Sequence, residues 1–548
     1  SIDAKYFTHM LYDYDNNAFS VELNGKQYPL IKNEIYALTK VFSVSIEKAY
    51  SFIVNLPLSE VLKPDATISF YVTLNGVKQQ LELEFNRPPS KLNTYNPYSY
   101  WRVTDNLTLV YEDKSLVLKA FTPLQLKKRE MLYLSKLPKA MAAMVANRVT
   151  RQNYILNAFV LRKAYFLNKR KFEGRRIWLY FDKLYKAGDN GEYAFRHAMT
   201  RNDGIECYYI INKDSLDYPR LKAEFPDNLL IYDTLKCQLY ALMAENIVAT
   251  HPDIIEFCSI KLKLASAVKD LFNGNLICIA HGITIQKNAD YQHRLYDNTM
   301  FYTTSSKYEV AHIRNPIYGY REDEVALTGL ARFDGLKNND QKQILITPTW
   351  RRNLVGKASR NTAREYTDGF KQTSYYKIYN SLINDERIIE VAKKTGYKII
   401  FLLHPAMSAQ IDDYDRNDYV ELIQASGDLN YEKILTESSL MVTDYSGIHY
   451  DFGYMRKPVI YYQPKEVPMR FEEGGMKFAT MGFGPVCSEY EDAVSLICEY
   501  MENECKMPLE FKQHADDFFA FDDFNSSERI YDAILKWTNE RKCDEINQ

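Results

Sequence analysis

From about residue 175 onward the chain repeats one pattern: a short uninterrupted apolar run, closed by a polar corner, then a helix-forming stretch. Ile177 to Phe181, Cys207 to Ile211, Leu229 to Tyr232, Ile247 to Ala249 and Leu276 to Ala280 form one set of runs. Ile344 to Ile346, Ile399 to Leu403, Leu440 to Val442 and Val459 to Tyr462 form a second. Runs of this length predict strands buried on both faces of a parallel sheet, with helices as the crossovers. Two such sets make two Rossmann-like units, 175–338 and 339–548. Facing each other across a cleft they describe the GT-B architecture. The last helix, near Ser526 to Trp537, is expected to cross back onto the first unit. The polar, aperiodic stretch from Arg351 to Lys377 is long enough for a mobile lid.

The first 120 residues follow a different rhythm. Phe19 to Leu23 and Thr67 to Leu74 are β-rich, and Asn-Gly pairs follow them at Asn24-Gly25 and Asn75-Gly76. Asn-Gly between β-rich runs predicts two-residue hairpins, the second returning along Leu81 to Phe85. A small all-β module of sandwich type is expected here, preceding the α/β fold. Asp13 and Asp15 imitate a metal-binding pair but are read as solvated turn residues.

Residues 121–174 link the two parts and change the meaning of the overall charge. The chain carries a formal net charge of −2, yet Lys127 to Arg176 hold 14 Lys and Arg against Glu130 and Glu173 alone. Met141, Met144, Val145 and Val149 fall at helical spacing beside Arg148 and Arg151, and aromatic residues continue beside Arg162, Lys163, Lys169 and Arg170. A cationic helical segment with an apolar side suits an anionic membrane surface. No apolar run reaches the length of a spanning helix. The eight cysteines begin at Cys207 and form no CxxC pair, which points to a reducing compartment. A chain opening on Ser1 reads as a piece of a longer protein.

Chemistry concentrates at the polar corners. In open α/β sheets ligands bind outside the carboxyl ends of the strands. Four corners lie there: His281 to Lys287, Thr347 to Arg351, His404-Pro405, and Thr443 to Gly447. An imidazole titrates near neutrality, so His281 is the candidate base, and Gly282 lets a ligand approach the backbone. Arg351 offers a fork matched to phosphate oxygens, with Thr349 as a hydroxyl donor and Lys287 as a further cation. His404 is a hydrogen-bond donor or acid. Asp444, Ser446 and Gly447 read as a helix start with free N–H groups, where Asp444 serves equally as an N-cap. His251-Pro252 is a second His-Pro corner of weaker standing, and His293 and His449 are read as structural.

These residues, in this order, resemble the CDP-glycerol glycerophosphotransferase family, the teichoic-acid-type polyol-phosphate polymerases and primases. The resemblance is carried by HGITIQK from His281, TGLARFD from Thr328, TPTWR from Thr347, HP at His404, TDYSG from Thr443, Asp451 with Lys457-Pro458, GFGP from Gly482 and SSERI from Ser526. It implies a GT-B fold and transfer of glycerol phosphate or ribitol phosphate from a CDP-polyol to a hydroxyl of a lipid-linked or polymer acceptor, with CMP released. His281 becomes the base; His404, Arg351 and Ser446 hold the donor pyrophosphate; Ser526 and Ser527 join the substrate-binding set. No cofactor is implied, since the CDP-polyol is a substrate, and no metal ligands are assigned. The expected location is the cytoplasmic face of the cell membrane, in teichoic acid or capsule-type polymer synthesis. Two features depart from the family pattern: Gly447 stands where a second serine is common, and Gln463 to Glu466 lacks an acidic residue often found there. The competing readings are a GT-B glycosyltransferase using a CMP- or UDP-sugar and a membrane-bound scaffold. Nucleic-acid binding explains the basic segment but not the corners.

Overall fold

A computed structural model describes the chain apart from residues 1, 7–18, 29, 36–38, 42–43, 47–48, 55, 84, 86–91, 93–97, 105, 147–153, 252–267, 284, 286–291, 293, 295–298, 316–317, 357–364, 425–428, 468–474 and 548. Its first parallel sheet has seven strands in the order Leu229–Ile231, Ile205–Ile211, Arg176–Phe181, Asn246–Ala249, Asn275–Cys278, Thr299–Thr304 and Val325–Leu327. The second has six, in the order Val420–Ile423, Lys398–Leu402, Gln343–Ile346, Ser438–Thr443, Val459–Tyr462 and Val486–Cys487. In each sheet the strand order reverses direction beside the first strand. The switch points therefore fall between Arg176–Phe181 and Asn246–Ala249, and between Gln343–Ile346 and Ser438–Thr443. Crevices for ligands open at such points.

The strands form where the apolar runs predict them because both faces are covered. Ile177, Leu179 and Phe181 pack into one core with Leu161 and Leu242, whereas Trp178 and Tyr180 pack on the other face with Phe195 and Ile530. A further cluster joins the two sheets, bringing Ala280 and Ile283 together with Met441, Tyr450 and Phe518. The last helix, Ser526–Asn547, lies against the first sheet, with Tyr531 and Trp537 stacked near Trp178 and Phe301.

Toward the amino end the strands pair antiparallel. Asn24-Gly25 and Asn75-Gly76 all take positive φ, joining Leu23 to Lys26 and Leu74 to Val77 as two-residue hairpins. The second hairpin returns along Val77–Gln80 rather than Leu81 to Phe85. Its Lys78 lies over the Tyr71 ring. Asp13 and Asp15 lie outside the described residues. The stretch after Arg351 is shorter than expected, because a helix starts at Ser374 with Thr373 as its N-cap. The middle of that stretch, 357–364, lies outside the described residues.

Two helices, Pro123–Ala146 and Tyr154–Phe172, carry the basic segment. Lys163, Lys169 and Arg170 are exposed, while Arg148 and Arg151 lie outside the described residues. Arg162 corrects the expectation of membrane contact. It is 0% exposed, held bidentately by Glu130 at 2.9 and 2.6 Å and by Asp270 at 2.8 and 3.0 Å, with its guanidinium over the Tyr133 ring. An arginine surrounded by two carboxylates and an aromatic face is stable inside, where a lone one is not. It ties both helices to the turn Lys269–Leu271 that leads into the strand Asn275–Cys278. Arg162→Met should therefore strand two buried carboxylates and cost about 3–5 kcal/mol. Chemical denaturation checks this, and an unchanged midpoint would remove the cluster from the account of stability.

Candidate active site

The base corner is built by a strained turn. Ala280 takes φ 47°, a left-handed conformation that costs an L-residue roughly 1–2 kcal/mol. Asn190 pins it: its Nδ2 donates to the Ala280 carbonyl at 2.8 Å, and its Oδ1 accepts from the Arg332 N–H at 2.9 Å. The turn sends the half-exposed His281 ring outward, with Nδ1 bonded to Asp189 Oδ2. Asp189 is also the N-cap of the helix Asn190–Ala198. A carboxylate on Nδ1 fixes the tautomer that leaves Nε2 as an acceptor. Burial pushes the Asp189 carboxyl up, but His281 and Arg332 together hold it well below the usual carboxylate range. Beside it, burial and the Asp189 charge raise the pKa of Asp182, which accepts from Tyr209 and from the N–H groups of Gly191 and Glu192.

Arg332 joins this corner to the other sheet. Its Nη1 reaches Asp189 Oδ1 at 3.1 Å and the His281 carbonyl. Its Nε and Nη2 grip Asp451 at 2.9 and 3.0 Å. Neither Asp189 nor Arg332's place at the base was foreseen from sequence. The signal for Asp189 was the Asp-Asn-Gly-Glu pattern of a helix start just past a strand.

Across the cleft His404 presents an exposed face while protein walls the rest of the ring, with Trp350 stacked at 5.9 Å. Its Nδ1 accepts from the Ala406 N–H at 3.1 Å, so Nε2 carries the proton and points its donor capacity outward. The two histidines thus hold opposite tautomers. Surrounding protein, then Lys183 and His281, push the His404 pKa down to about 4, so its neutral donor form prevails.

The remaining corners differ from expectation. Arg351 is buried and turned inward: it reaches Asp444 Oδ2 at 2.7 Å, the Thr349 carbonyl at 2.9 Å and the Val467 carbonyl at 3.0 Å. Asp444, 0% exposed, also accepts from the Thr349 and Tyr445 N–H groups. The pair clamps two loops to each other and does not face a phosphate; desolvating two charges is tolerable only when each serves the other. Thr349 Oγ1 finds no partner among the described residues. Ser446 is half-buried and Gly447 exposed, with open space where a Cβ would stand. Among the described residues no protein acceptor takes the N–H groups of Ser446, Gly447 and Ile448. The helix beyond them, His449–Tyr454, is only six residues long.

Ser526 and Ser527 are buried away from the cleft, where Asp334 accepts both of their N–H groups at 2.7 and 2.8 Å and so starts the last helix. A Cβ at Gly282 would meet nothing closer than Arg332 Nη2 at 3.7 Å, leaving room at its backbone. Lys287 and His293 lie outside the described residues. His449 is buried on the Tyr461 hydroxyl at 2.8 Å, and Lys457 donates to three carbonyls, both as parts of the framework. Among the described residues no group of three His, Cys, Asp or Glu is arranged to hold a metal ion.

The family model for CDP-Glycerol:Poly(glycerophosphate) glycerophosphotransferase matches residues 163–536. The chain belongs to this family. It is 32% identical over 502 residues to the minor teichoic acid biosynthesis protein GgaB of Bacillus subtilis, covering 90% of this chain and 54% of that protein. It is 24% identical over 246 residues to a teichoic acid glycerol-phosphate primase of the same organism, covering 44% of this chain and 58% of that one. The chain thus spans little more than half the length of these relatives. A variant of the wall teichoic acid polymerase TagF shares its fold at a TM-score of 0.50 and 13% identity, over 74% of this chain and 98% of the other.

Three histidines with depressed pKa values set a pH dependence. Burial lowers His449 to about 3, while the protein packed around part of each ring and nearby positive charge lower His251 and His404 to about 4, against about 6.5 in an unfolded chain. Between those values the unfolded chain binds more protons than the folded one, so stability declines as pH falls through this window. Urea midpoints should drop steadily from about pH 6.5 to about pH 4; a flat profile would mean these rings accept protons in place.

Proposed function

We propose that this protein transfers glycerol phosphate or ribitol phosphate from a CDP-polyol to a hydroxyl of a lipid-linked or growing polymer acceptor. The observation that carries the reading is the opposed pair of imidazoles, one an acceptor at Nε2 and one a donor at Nε2, on facing sheets. The acceptor hydroxyl gives its proton to His281 Nε2 as its oxygen bonds to the β-phosphorus. The bond from that phosphorus to the bridging oxygen breaks, and CMP leaves. The His404 Nε2–H, the Ser446 hydroxyl and the N–H groups of residues 446–448 supply donors for the phosphate oxygens. Phosphoryl transfer asks for such positioning and charge stabilisation more than for covalent chemistry. Residues 175–338 serve as the acceptor half and 339–548 as the donor half.

The basic helices place this chemistry at an anionic membrane surface. Leu124, Met131, Leu132, Val160 and Leu167 are exposed beside Lys127, Lys128, Lys163, Lys169 and Arg170. Solvent-facing leucines between lysines favour an interface where apolar and anionic groups lie together. Charge reversal at Lys163, Lys169 and Arg170 should abolish binding to phosphatidylglycerol vesicles and leave the fold intact. Retained binding would transfer that role elsewhere.

The direct test is CMP release from CDP-glycerol and from CDP-ribitol, with and without a lipid-linked acceptor. Acceptor-dependent release from either donor is expected, and release from neither would end this reading. His281→Ala should abolish turnover with little change in donor affinity, whereas Ser446→Ala should chiefly weaken donor binding. Asp189→Asn should lower kcat about 10²–10⁴-fold, the scale of losing a correctly oriented base. Activity within a few-fold of wild type would release Asp189 from that role.

A further inference from the structure

The first sheet has a polar edge of its own at its switch point, and the reaction above leaves it without a task. Phe181 sits opposite Ala249, and Ala249 opposite Cys278, across three adjacent parallel strands. Two residues beyond that line come Lys183 and His251; three beyond it comes His281. The edge therefore carries an amine, an imidazole and the candidate base side by side. The His251 and His281 rings stand 5.6 Å apart. Both Lys183 and His251 are exposed. Among the described residues Lys183 has no carboxylate partner, and its backbone turn is closed by a bridge to Lys186. His251 Nδ1 lies 3.3 Å from the buried Thr250 hydroxyl, which holds the ring at the edge. The protein around it, then positive charge at His281 and Lys183, lower the His251 pKa.

Folding gives no reason to gather an unpaired amine and two imidazoles at one strand edge. Of the three only the Lys183 ammonium is a charge that stands without a carboxylate among the described residues, and a positive charge so placed at a crevice attracts an anion. The donor's pyrophosphate does not need them, since the second sheet supplies its own corner of N–H, hydroxyl and imidazole donors.

We infer that Lys183 and His251 form a subsite for a second phosphate, the phosphodiester lying one polyol unit behind the attacking hydroxyl of the acceptor. This inference rests on the polyol-phosphate reading and deepens it. With the terminal hydroxyl at His281 Nε2, the preceding phosphate falls on the neighbouring strand ends, one glycerol unit away, the scale of the ring separation. Lys183 meets the phosphate's charge, and His251, neutral at physiological pH, offers a hydrogen bond. Such a subsite selects an acceptor that already ends in polyol phosphate, so the enzyme would extend a chain more readily than begin one.

The test titrates glycerophosphoglycerol, and glycerol as control, into the full chain by calorimetry with CMP saturating the donor side. Wild type should bind the phosphodiester. Lys183→Ala and His251→Gln should each weaken that binding about ten- to a hundred-fold, the scale of one hydrogen bond to a charged group. Because Lys183 is exposed, its removal should leave the circular dichroism spectrum unchanged. In turnover the same variants should raise KM for an acceptor ending in polyol phosphate, with KM for the CDP-polyol unchanged. Unaltered phosphodiester affinity in both variants, or a rise confined to the donor KM, would overturn the subsite. If wild type binds the phosphodiester through Lys183 yet releases no CMP from either donor, the subsite stands and the transfer reading falls.

Discussion

One guanidinium ties the two halves of this molecule to the chemistry between them. Arg332 spends its whole fork on Asp451 of the second sheet's corner, on Asp189 beneath the candidate base, and on the carbonyl of His281 itself. Asp451 stands five residues past Ser446, on the short helix His449–Tyr454 that follows the Thr443–Gly447 corner. The positions of the His281 corner and of the Thr443–Gly447 corner are thus referred to a single planar group. An arginine shared by two carboxylates keeps both only when its whole planar fork is in place, so the orientation of His281 and the placement of Asp451 rest on the same guanidinium.

The same economy of charge runs through the other corners. Arg351 and Asp444 neutralise each other, Lys457 is absorbed by three carbonyls, and Asp334 is taken up in starting the last helix. These are motif residues, and their type alone suggests ligand contact. Their partners show that they hold loops at the strand ends in register, which is the condition for uncharged donors nearby to converge on one point.

Nine of the thirteen strands in the two parallel sheets were legible to within a few residues, because runs buried on both faces leave a continuous apolar signal; Thr299–Thr304, Val325–Leu327, Val420–Ile423 and Val486–Cys487, shorter or more polar, were not. The hairpins at Asn24 and Asn75 were legible because only a few residue types accept two positive φ values in succession. What could not be read was which charged side chain faces which. Arg351 meets Asp444 across 93 positions, Arg162 meets Asp270 across 108, and His281 meets Asp189 across 92. No local pattern carries such pairings. Counting the positive charges of residues 127–176 therefore placed Arg162 at the surface, when two distant carboxylates had already claimed it. Asp189 went unread for a different reason: its local Asp-Asn-Gly-Glu pattern signals no more than a helix start, and nothing nearby shows that its second oxygen meets His281.

With Arg332 and Arg351 answered by carboxylates, the described residues leave the His404 Nε2–H, hydroxyls and N–H groups as uncharged donors at the cleft, with Lys183 as an exposed amine. This matters for the proposed transfer, in which donor and leaving nucleotide both carry phosphates. Oriented dipoles stabilise charge as it shifts from the β-phosphorus to the departing oxygen, because they need no rearrangement as the reaction proceeds. Formal charges set against the ground state bind substrate and product alike, which lowers KM without raising the rate and slows release of CMP. Burying the guanidiniums against carboxylates keeps their geometric rigidity and removes their charge from the ligand's view. In the proposed reaction, such a cleft holds a pyrophosphate while the hydroxyl attacks and still lets the nucleotide go.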